Sequence, residues 1–313
     1  MAIIAVAGGT GNLGRAIVEA LRDTTSHSVH VLTRKPDDDL AKELGVPLLL
    51  ADYANVASLT TLLESNKIDT IVSTVSVLDD TASNAQLNLI EAAEKSSSTK
   101  RFIPSEFGMR YTQEHARDLP FVAGKLAAVQ KLQSSTSLEY SLLSNGIFTD
   151  YYGMPKVKSY LQPFVLAVDI AHNAAAIPGS GDVPVVFTHT FDVARFIAAF
   201  VSAPDWPERG TIIGDKKTWN ELVALAEEAK GVKFNVTHDS EEKLENFQVT
   251  ELPSHPSMYA FLPKEQLQRI LATFGRWSNA GDLDLSEDES LNRRFPEIRP
   301  RSVRDVLEEG WKA

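Results

Sequence analysis

The chain has 313 residues, 43% of them hydrophobic and 23% charged, and a formal net charge of −11. That length buries a substantial core without staples and fits two domains, or one large domain with an appended lobe. The absence of cysteine excludes disulfides, zinc–thiolate sites and a thiol nucleophile. An acidic chain whose tightest basic clusters are pairs such as Arg293-Arg294 is not suited to nucleic acid or an anionic membrane. The apolar run Ile3–Val6 is too short for a signal-peptide core and no run is long enough to span a bilayer, so the expectation is a cytoplasmic protein.

The first half alternates strand-like and helix-like segments. Ile3–Ala7 reads as a strand, followed by a glycine turn and a helical pattern over Asn12–Arg22. Ser28–Thr33 and Val46–Leu50 read as strands, with a short helix at Leu40–Leu44 between them and the acidic run Asp37–Asp39 as solvated loop. Then come a helix (Val56–Leu63), a strand (Thr70–Thr74), a helix (Ala82–Ala93), a strand (Arg101–Ile103), a helix (Phe121–Leu132) and a sixth strand (Tyr140–Leu143). This rhythm means βαβ units and a parallel sheet with right-handed crossovers. After Gly153 prolines and glycines cluster, marking loops. Val185–Phe187 and Thr211–Ile213 read as late strands, Phe191–Val201 and Trp219–Ala229 as helices, and the polar tail after Glu241 as partly helical.

Gly9-Thr10-Gly11-Asn12-Leu13-Gly14 satisfies G-x-G-x-x-G between a strand and an amphipathic helix, the context a dinucleotide-binding turn requires. Gly9 would take the tight turn, Gly11 would admit a pyrophosphate to the backbone, and Gly14 would let helix pack on strand. The helix start would supply N–H groups and a positive dipole end. The acidic residue that binds the ribose 2′-OH in NAD sites is replaced by Thr33, followed by Arg34 and Lys35. A guanidinium fork and a second cation suit a 2′-phosphate, so NADP(H) is favoured over NAD(H).

These residues resemble the isoflavone reductase-like (NmrA-like) branch of the atypical short-chain dehydrogenases. The resemblance rests on Gly8–Gly14, on Ser73-Thr74-Val75, and above all on Arg101-Phe102-Ile103-Pro104-Ser105-Glu106-Phe107-Gly108, and it is good over about residues 1–155. It implies an α/β protein: a Rossmann doubly wound parallel sheet (1–155, with 185–215 returning to it) and a smaller C-terminal substrate-binding lobe (mainly 156–313), with a cleft between. By resemblance, Gly8, Gly9, Thr10, Gly11, Asn12, Leu13 and Gly14 hold the pyrophosphate and Thr33, Arg34 and Lys35 the adenosine phosphate. Asp52 and Tyr53 lie beside the adenine, and Ser73, Thr74 and Val75 line the nicotinamide ribose end. Pro104, Ser105, Glu106 and Phe107 flank the nicotinamide, and Asn145 and Phe148 lie at the cleft floor. Phe107, Phe148, Tyr151, Tyr152 and Phe164 are expected as apolar walls for a flat substrate. No metal-ligand spacing occurs among the seven histidines.

Phe121-Val122-Ala123-Gly124-Lys125 stands where ordinary short-chain dehydrogenases carry Y-x-x-x-K, with both ends on one helix face. Phe121 has no proton to give. Lys125 is retained, as in the branch resembled, where it is taken as catalytic; it can also bind the cofactor by hydrogen-bonding the nicotinamide ribose, and the bland reading is a solvated helix lysine. His115, Tyr111, Tyr151, Tyr152 and His189 are weaker proton-transfer candidates. The expected function is NADPH-dependent reduction of a small aromatic or heterocyclic substrate, with Lys125 assisting proton transfer. Two readings stay open beside it: an NAD(P)-sensing regulator without turnover, and a non-reductive isomerisation, dehydration or iminium cyclisation. Substrate identity and the choice between monomer and homodimer are not legible.

Overall fold

The structure, a computed structural model, describes residues 1–77 and 79–312. Its elements begin β1 (Ile3–Ala7), α1 (Asn12–Thr24), β2 (Ser28–Thr33), α2 (Asp38–Leu44), β3 (Leu48–Leu50), α3 (Val56–Ser65), β4 (Thr70–Ser73), α4 (Asp80–Lys95), β5 (Arg101–Ile103), α5 (Gln113–Asp118), α6 (Phe121–Gln133), β6 (Glu139–Tyr140) and β7 (Leu142–Ser144). They continue with β8 (Ile147–Phe148), α7 (Asp150–Gly153), β9 (Val168–Asp169), β10 (Ala174–Pro178), β11 (Val185–Thr188), α8 (Thr190–Phe200), β12 (Arg209–Thr211), β13 (Asp215–Lys217), α9 (Trp219–Lys230), β14 (Asn235–Asp239), α10 (Glu241–Glu245), α11 (Lys264–Ala280), α12 (Leu291–Arg294) and α13 (Val303–Trp311).

The chain divides into two compact units. The first comprises Met1–Ser144, Val193–Thr211 and Glu289–Ile298; the second comprises Asn145–Asp192, Ile212–Asp288 and the described residues from Arg299 onward. In the first, β1–β6 form one parallel sheet in the order β3-β2-β1-β4-β5-β6. Ile3–Ala7 is apolar, and it and Thr70–Ser73 are almost wholly buried, as a sheet covered on both faces requires. α1 buries Leu13, Ala16, Ile17 and Leu21 at helical spacing. Strand order reverses beside β1, where Ala7 pairs with Leu32 on one side and Ser73 on the other. The turn leaving Ala7 therefore opens at the topological switch point, where sheets of this kind take ligands.

Several boundaries differ from the sequence reading for identifiable reasons. The acidic run is not loop: Asp37 caps α2, its carboxylate accepting from Asp39 N and Leu40 N, while Asp38 and Asp39 fill the first turn. Acids there complement the helix dipole. β3 starts at Leu48, after Pro47, which has no N–H to give the ladder. The sixth strand breaks at Ser141: β6 pairs with β5, and β7 pairs with β12.

The second unit holds two small sheets, β14-β10-β9 and β13-β11-β8, the latter containing the strand Val185–Thr188. Its core includes an edge-to-face trio of Tyr152, Phe187 and Trp219, with centroids 5.5–6.4 Å apart. Asp150, fully buried, ties its loops together. Oδ1 accepts from Ser159 Oγ and Thr190 Oγ1, both at 2.6 Å, and Oδ2 accepts from Thr190 N at 2.8 Å. Asp150→Ala strands two buried donors on Thr190 and a half-buried one on Ser159, so we expect it to lower the unfolding free energy by about 2–4 kcal/mol in a denaturant titration. Asp150→Asn, which keeps one acceptor oxygen, should cost less.

Candidate functional site

The glycine turn is built by close approach. Gly8 has φ +81°, and a Cβ on it would lie 2.9 Å from Thr74 O and Oγ1. A Cβ on Gly14 would lie 2.4 Å from both Gly8 O and Thr74 Oγ1. Thr74 Oγ1 itself donates to Ala7 O at 2.8 Å. The first turn of α1 is thus seated on the ends of β1 and β4. The left-handed conformation falls on Gly8 and Asn12 (φ +49°) rather than on Gly9. Gly9 is required for a different reason: a Cβ there would meet Val18 and Val31 methyls at 2.9 and 3.0 Å. Around Gly11 there is open space to 4 Å. Gly11 caps α1 with no side chain, and no acid stands in the first turn, so the helix-start N–H groups and dipole are left for an anion.

Beyond β2, Arg34 and Lys35 are exposed, and among the described residues neither has an ion-pair partner. The nearby Asp37 carboxylate is spent on its helix cap. The Thr33 hydroxyl folds onto the backbone of Lys35, taking its N–H at 3.3 Å. Tyr53 is buried, its OH donating to Leu32 O at 3.1 Å; burial pushes that hydroxyl well above its usual range, and nearby Arg34 opposes the shift. Asp52 is exposed and accepts from Ala54 N at 3.1 Å. These residues fit a phosphorylated dinucleotide: an uncapped helix start for the pyrophosphate, and two unpaired cations after β2 for a further phosphate.

At the ends of β4 and β5, Ser73 Oγ donates to Gln86 Oε1 at 2.9 Å, and Ser105 N donates to the same oxygen at 2.7 Å. Val75 beyond β4 is half-buried. Past Ser105 the loop turns tightly, with Glu106 N donating to Pro104 O at 2.8 Å, then φ +29° at Phe107 and +83° at Gly108. Positive φ at a phenylalanine is strained and needs support from its surroundings. Lys125 supplies it: Nζ donates to Glu106 O and, at 3.2 Å, to Phe107 O. The ammonium also lies 4.5 Å from the Tyr111 ring centroid. Lys125 is buried, which removes the reading of a solvated helix lysine; Lys131, further along α6, pairs with Glu91 instead. Burial pulls the Lys125 pKa down to about 8, with the Glu106 charge opposing. Burial raises Glu106, opposed by Lys125 and Arg209. Lys125 can reach its position because α4 lies close to α6: a Cβ on Gly124 would sit 2.1 Å from Ser83 Oγ and 2.7 Å from Ser83 Cβ.

The remaining expected residues sort by unit. Asn145, Phe148, Tyr151, Tyr152 and Phe164 all belong to the second. Phe148, Tyr151 and Phe164 form a half-buried aromatic string, with successive centroids 6.3 and 6.0 Å apart. Tyr152 does not join it; the residue is buried against Phe187 and Trp219 and has no face for a ligand. Asn145 is buried, its carbonyl accepting from Thr188 Oγ1 at 2.8 Å. His115 closes the capping box of α5, Nδ1 accepting from Thr112 N at 3.0 Å, a structural role. His189 is buried 3.6 Å from Asp150, and burial lowers its pKa. Among the described residues no group of acids and histidines could hold a metal, and no helix is long and apolar enough to cross a membrane. Tyr111, one of the weaker proton-transfer candidates, instead faces the Lys125 ammonium with its ring, and Gln86 was not singled out by sequence reasoning. Gln86 sits in a polar stretch of helix with nothing to distinguish it from a surface glutamine.

The seat of α1 gives a direct expectation. Gly14→Ala forces the helix off Gly8 and Thr74, lowering stability by about 1–3 kcal/mol and weakening dinucleotide binding at least about tenfold, read by chemical unfolding and fluorescence titration.

The NmrA-like family profile matches residues 2–304. Oxidoreductase BOA1 of Botryotinia fuckeliana (strain B05.10) is 36% identical over 303 residues, covering 96% of each chain. The fold is similar to the binary complex of leucoanthocyanidin reductase with NADPH from Vitis vinifera, with a TM-score of 0.76, 19% identity and 98% of each chain covered. It is also similar to AtPrR2 with NADP+ and (+)pinoresinol, with a TM-score of 0.73, 23% identity and 98% of each chain covered. A profile match over nearly the whole chain and a relative of this identity and coverage carry one conclusion: the chain belongs to the NmrA-like family.

Proposed function

We propose that this protein is an NADPH-dependent reductase of a small aromatic or heterocyclic substrate. The observation that carries the reading is the pairing of an uncapped helix start at Gly11 with two unpaired cations, Arg34 and Lys35, after β2. The oxidoreductase name of the 36% identical relative and the nucleotides named with the two similar structures support it. When bound, the cofactor supplies hydride from nicotinamide C4.

The chain's own residues do the rest. Gly8, Gly9, Thr10, Gly11, Asn12, Leu13 and Gly14 hold the pyrophosphate, and Thr33, Arg34 and Lys35 the 2′-phosphate. Asp52 and Tyr53 border the adenine. Ser73, Thr74, Val75, Pro104, Ser105, Glu106 and Phe107 line the nicotinamide end. Within the second unit, Phe148, Tyr151 and Phe164 offer flat apolar surface to an aromatic substrate, the second ligand named with AtPrR2 being of that kind. Lys125 manages the proton. Of its three N–H donors two are spent on Glu106 O and Phe107 O, leaving one for a substrate atom or a water it orients.

That same bonding favours one second reading, a dinucleotide sensor, because an ammonium tied to two main-chain carbonyls also serves as a pure loop clamp. NADPH oxidation with a panel of aromatic enones, imines and benzyl ethers separates the two. A product two mass units heavier than its substrate supports the reductase, and tight dinucleotide binding without consumption across the panel supports the sensor.

Each loss of a charge-assisted bond costs about 1.5–3 kcal/mol, so Arg34→Ala/Lys35→Ala should weaken NADPH binding by about 10–100-fold or more and leave NADH unchanged. Lys125→Met should lower kcat by about 10²–10⁴-fold with little change in NADPH affinity. The donor is the ammonium, so turnover should fall as pH rises through about 8 and hold below it. Lys125→Arg, which stays protonated throughout, should flatten that limb.

A further inference from the structure

We propose that Gln86 is a positioning residue for Lys125, acting through the loop after β5; this rests on the reductase reading for its catalytic consequence but not for its geometry. Gln86 lies on α4 and is 1% exposed. Among the described residues its side chain commits only Oε1, and commits it twice. Ser73 Oγ at the end of β4 and Ser105 N in the loop after β5 both donate to it, at 2.9 and 2.7 Å. The backbone N–H of Ser105 can only donate, which assigns the amide oxygen, not the nitrogen, to this side. The nitrogen, Nε2, is buried with no partner among the described residues. A glutamine present merely to complete a buried polar core would not leave two donors unmet at a cost of about 1–3 kcal/mol. What the residue accomplishes is to fasten the loop to a strand end.

The loop it fastens is the one Lys125 needs. Ser105 stands next to Glu106, whose carbonyl, with that of Phe107, receives Nζ. Phe107 carries positive φ without being a glycine, so the loop is strained there and relaxes if a fastening is lost. The linkage has a second arm through the helices: Ser83, one turn before Gln86, packs on Gly124, next to Lys125. Gln86 and Lys125 thus grip consecutive residues of one loop, from two different helices. Release at Ser105 lets water reach Nζ and undoes the burial that holds it below the ordinary lysine range.

The test needs no substrate. Competitive amine labelling of the apo protein across pH, read by mass spectrometry at Lys125, reports its titration midpoint. The wild type should titrate near 8. Gln86→Met, close in shape but without the acceptor, should move the midpoint up by about one unit or more. In turnover the alkaline limb should move with the label, and Gln86→Met should lower kcat at least about tenfold with NADPH affinity within about threefold. If Gln86→Met does not fold, Gln86→Asn, with its oxygen withdrawn by one methylene, replaces it. A Lys125 midpoint unmoved by losing the Gln86 acceptor overturns the proposal. Movement of the midpoint in a protein that consumes no NADPH supports the positioning role and counts against the reductase reading alone.

Discussion

The close seating of α1 on the strand ends is the constraint from which the candidate site follows. No methyl group fits at residue 14, because Gly8 O and Thr74 Oγ1 already stand where it would be. That contact aims the helix start at the point where strand order reverses. It also leaves the cap to Gly11, which has no side chain to satisfy the first N–H groups. An anionic ligand is the partner this end lacks. Thr74 joins the turn to β4, so one contact sets both the uncapped helix start and the adjoining strand end from which the Gln86 linkage begins.

That second end is organised around a buried cation with main-chain partners. Isolated in an apolar interior, an ammonium gives up its proton; carbonyl acceptors, a facing aromatic ring and the Glu106 charge work against that loss. Lys125 has all three. The arrangement also carries the strain of Phe107, so fixing the loop and tuning the lysine are one event rather than two.

Much of this was legible because local rules and the fold agree. The alternation of apolar runs and amphipathic helices, with glycines at 9, 11 and 14, led to a parallel sheet with its turn at β1. The misreadings came from side-chain roles that spacing does not encode. Asp37 looks like solvated charge until its carboxylate is seen taking two N–H groups of α2. Tyr152 and Tyr151 are neighbours of one type, yet one packs the second unit's core and the other joins the half-buried aromatic string. α11 was read only as part of a partly helical tail, without bounds, because Lys264–Ala280 is rich in polar residues, although Leu267, Leu271 and Trp277 recur on its buried face. Gln86 carried no signal at all, since its partners lie 13 and 19 residues away and become neighbours only when β4 and β5 pair.

Burial drives Lys125 and Glu106 in opposite directions, lysine down and carboxyl up, and each charge resists the other's loss. Such a pair is most cohesive when both are ionised and loses that cohesion from either side. Protonating Glu106 at low pH removes the charge that favours the ammonium, and raising pH through about 8 removes the ammonium itself. The lysine is depressed in the folded state, so the unfolded chain holds the proton more tightly between about 8 and 10.5. For this group alone, stability therefore rises with pH over the interval in which its capacity to donate falls. Proton-donating competence at neutral pH is accordingly held against a folding cost, and the carbonyls of Glu106 and Phe107 are what make that cost tolerable.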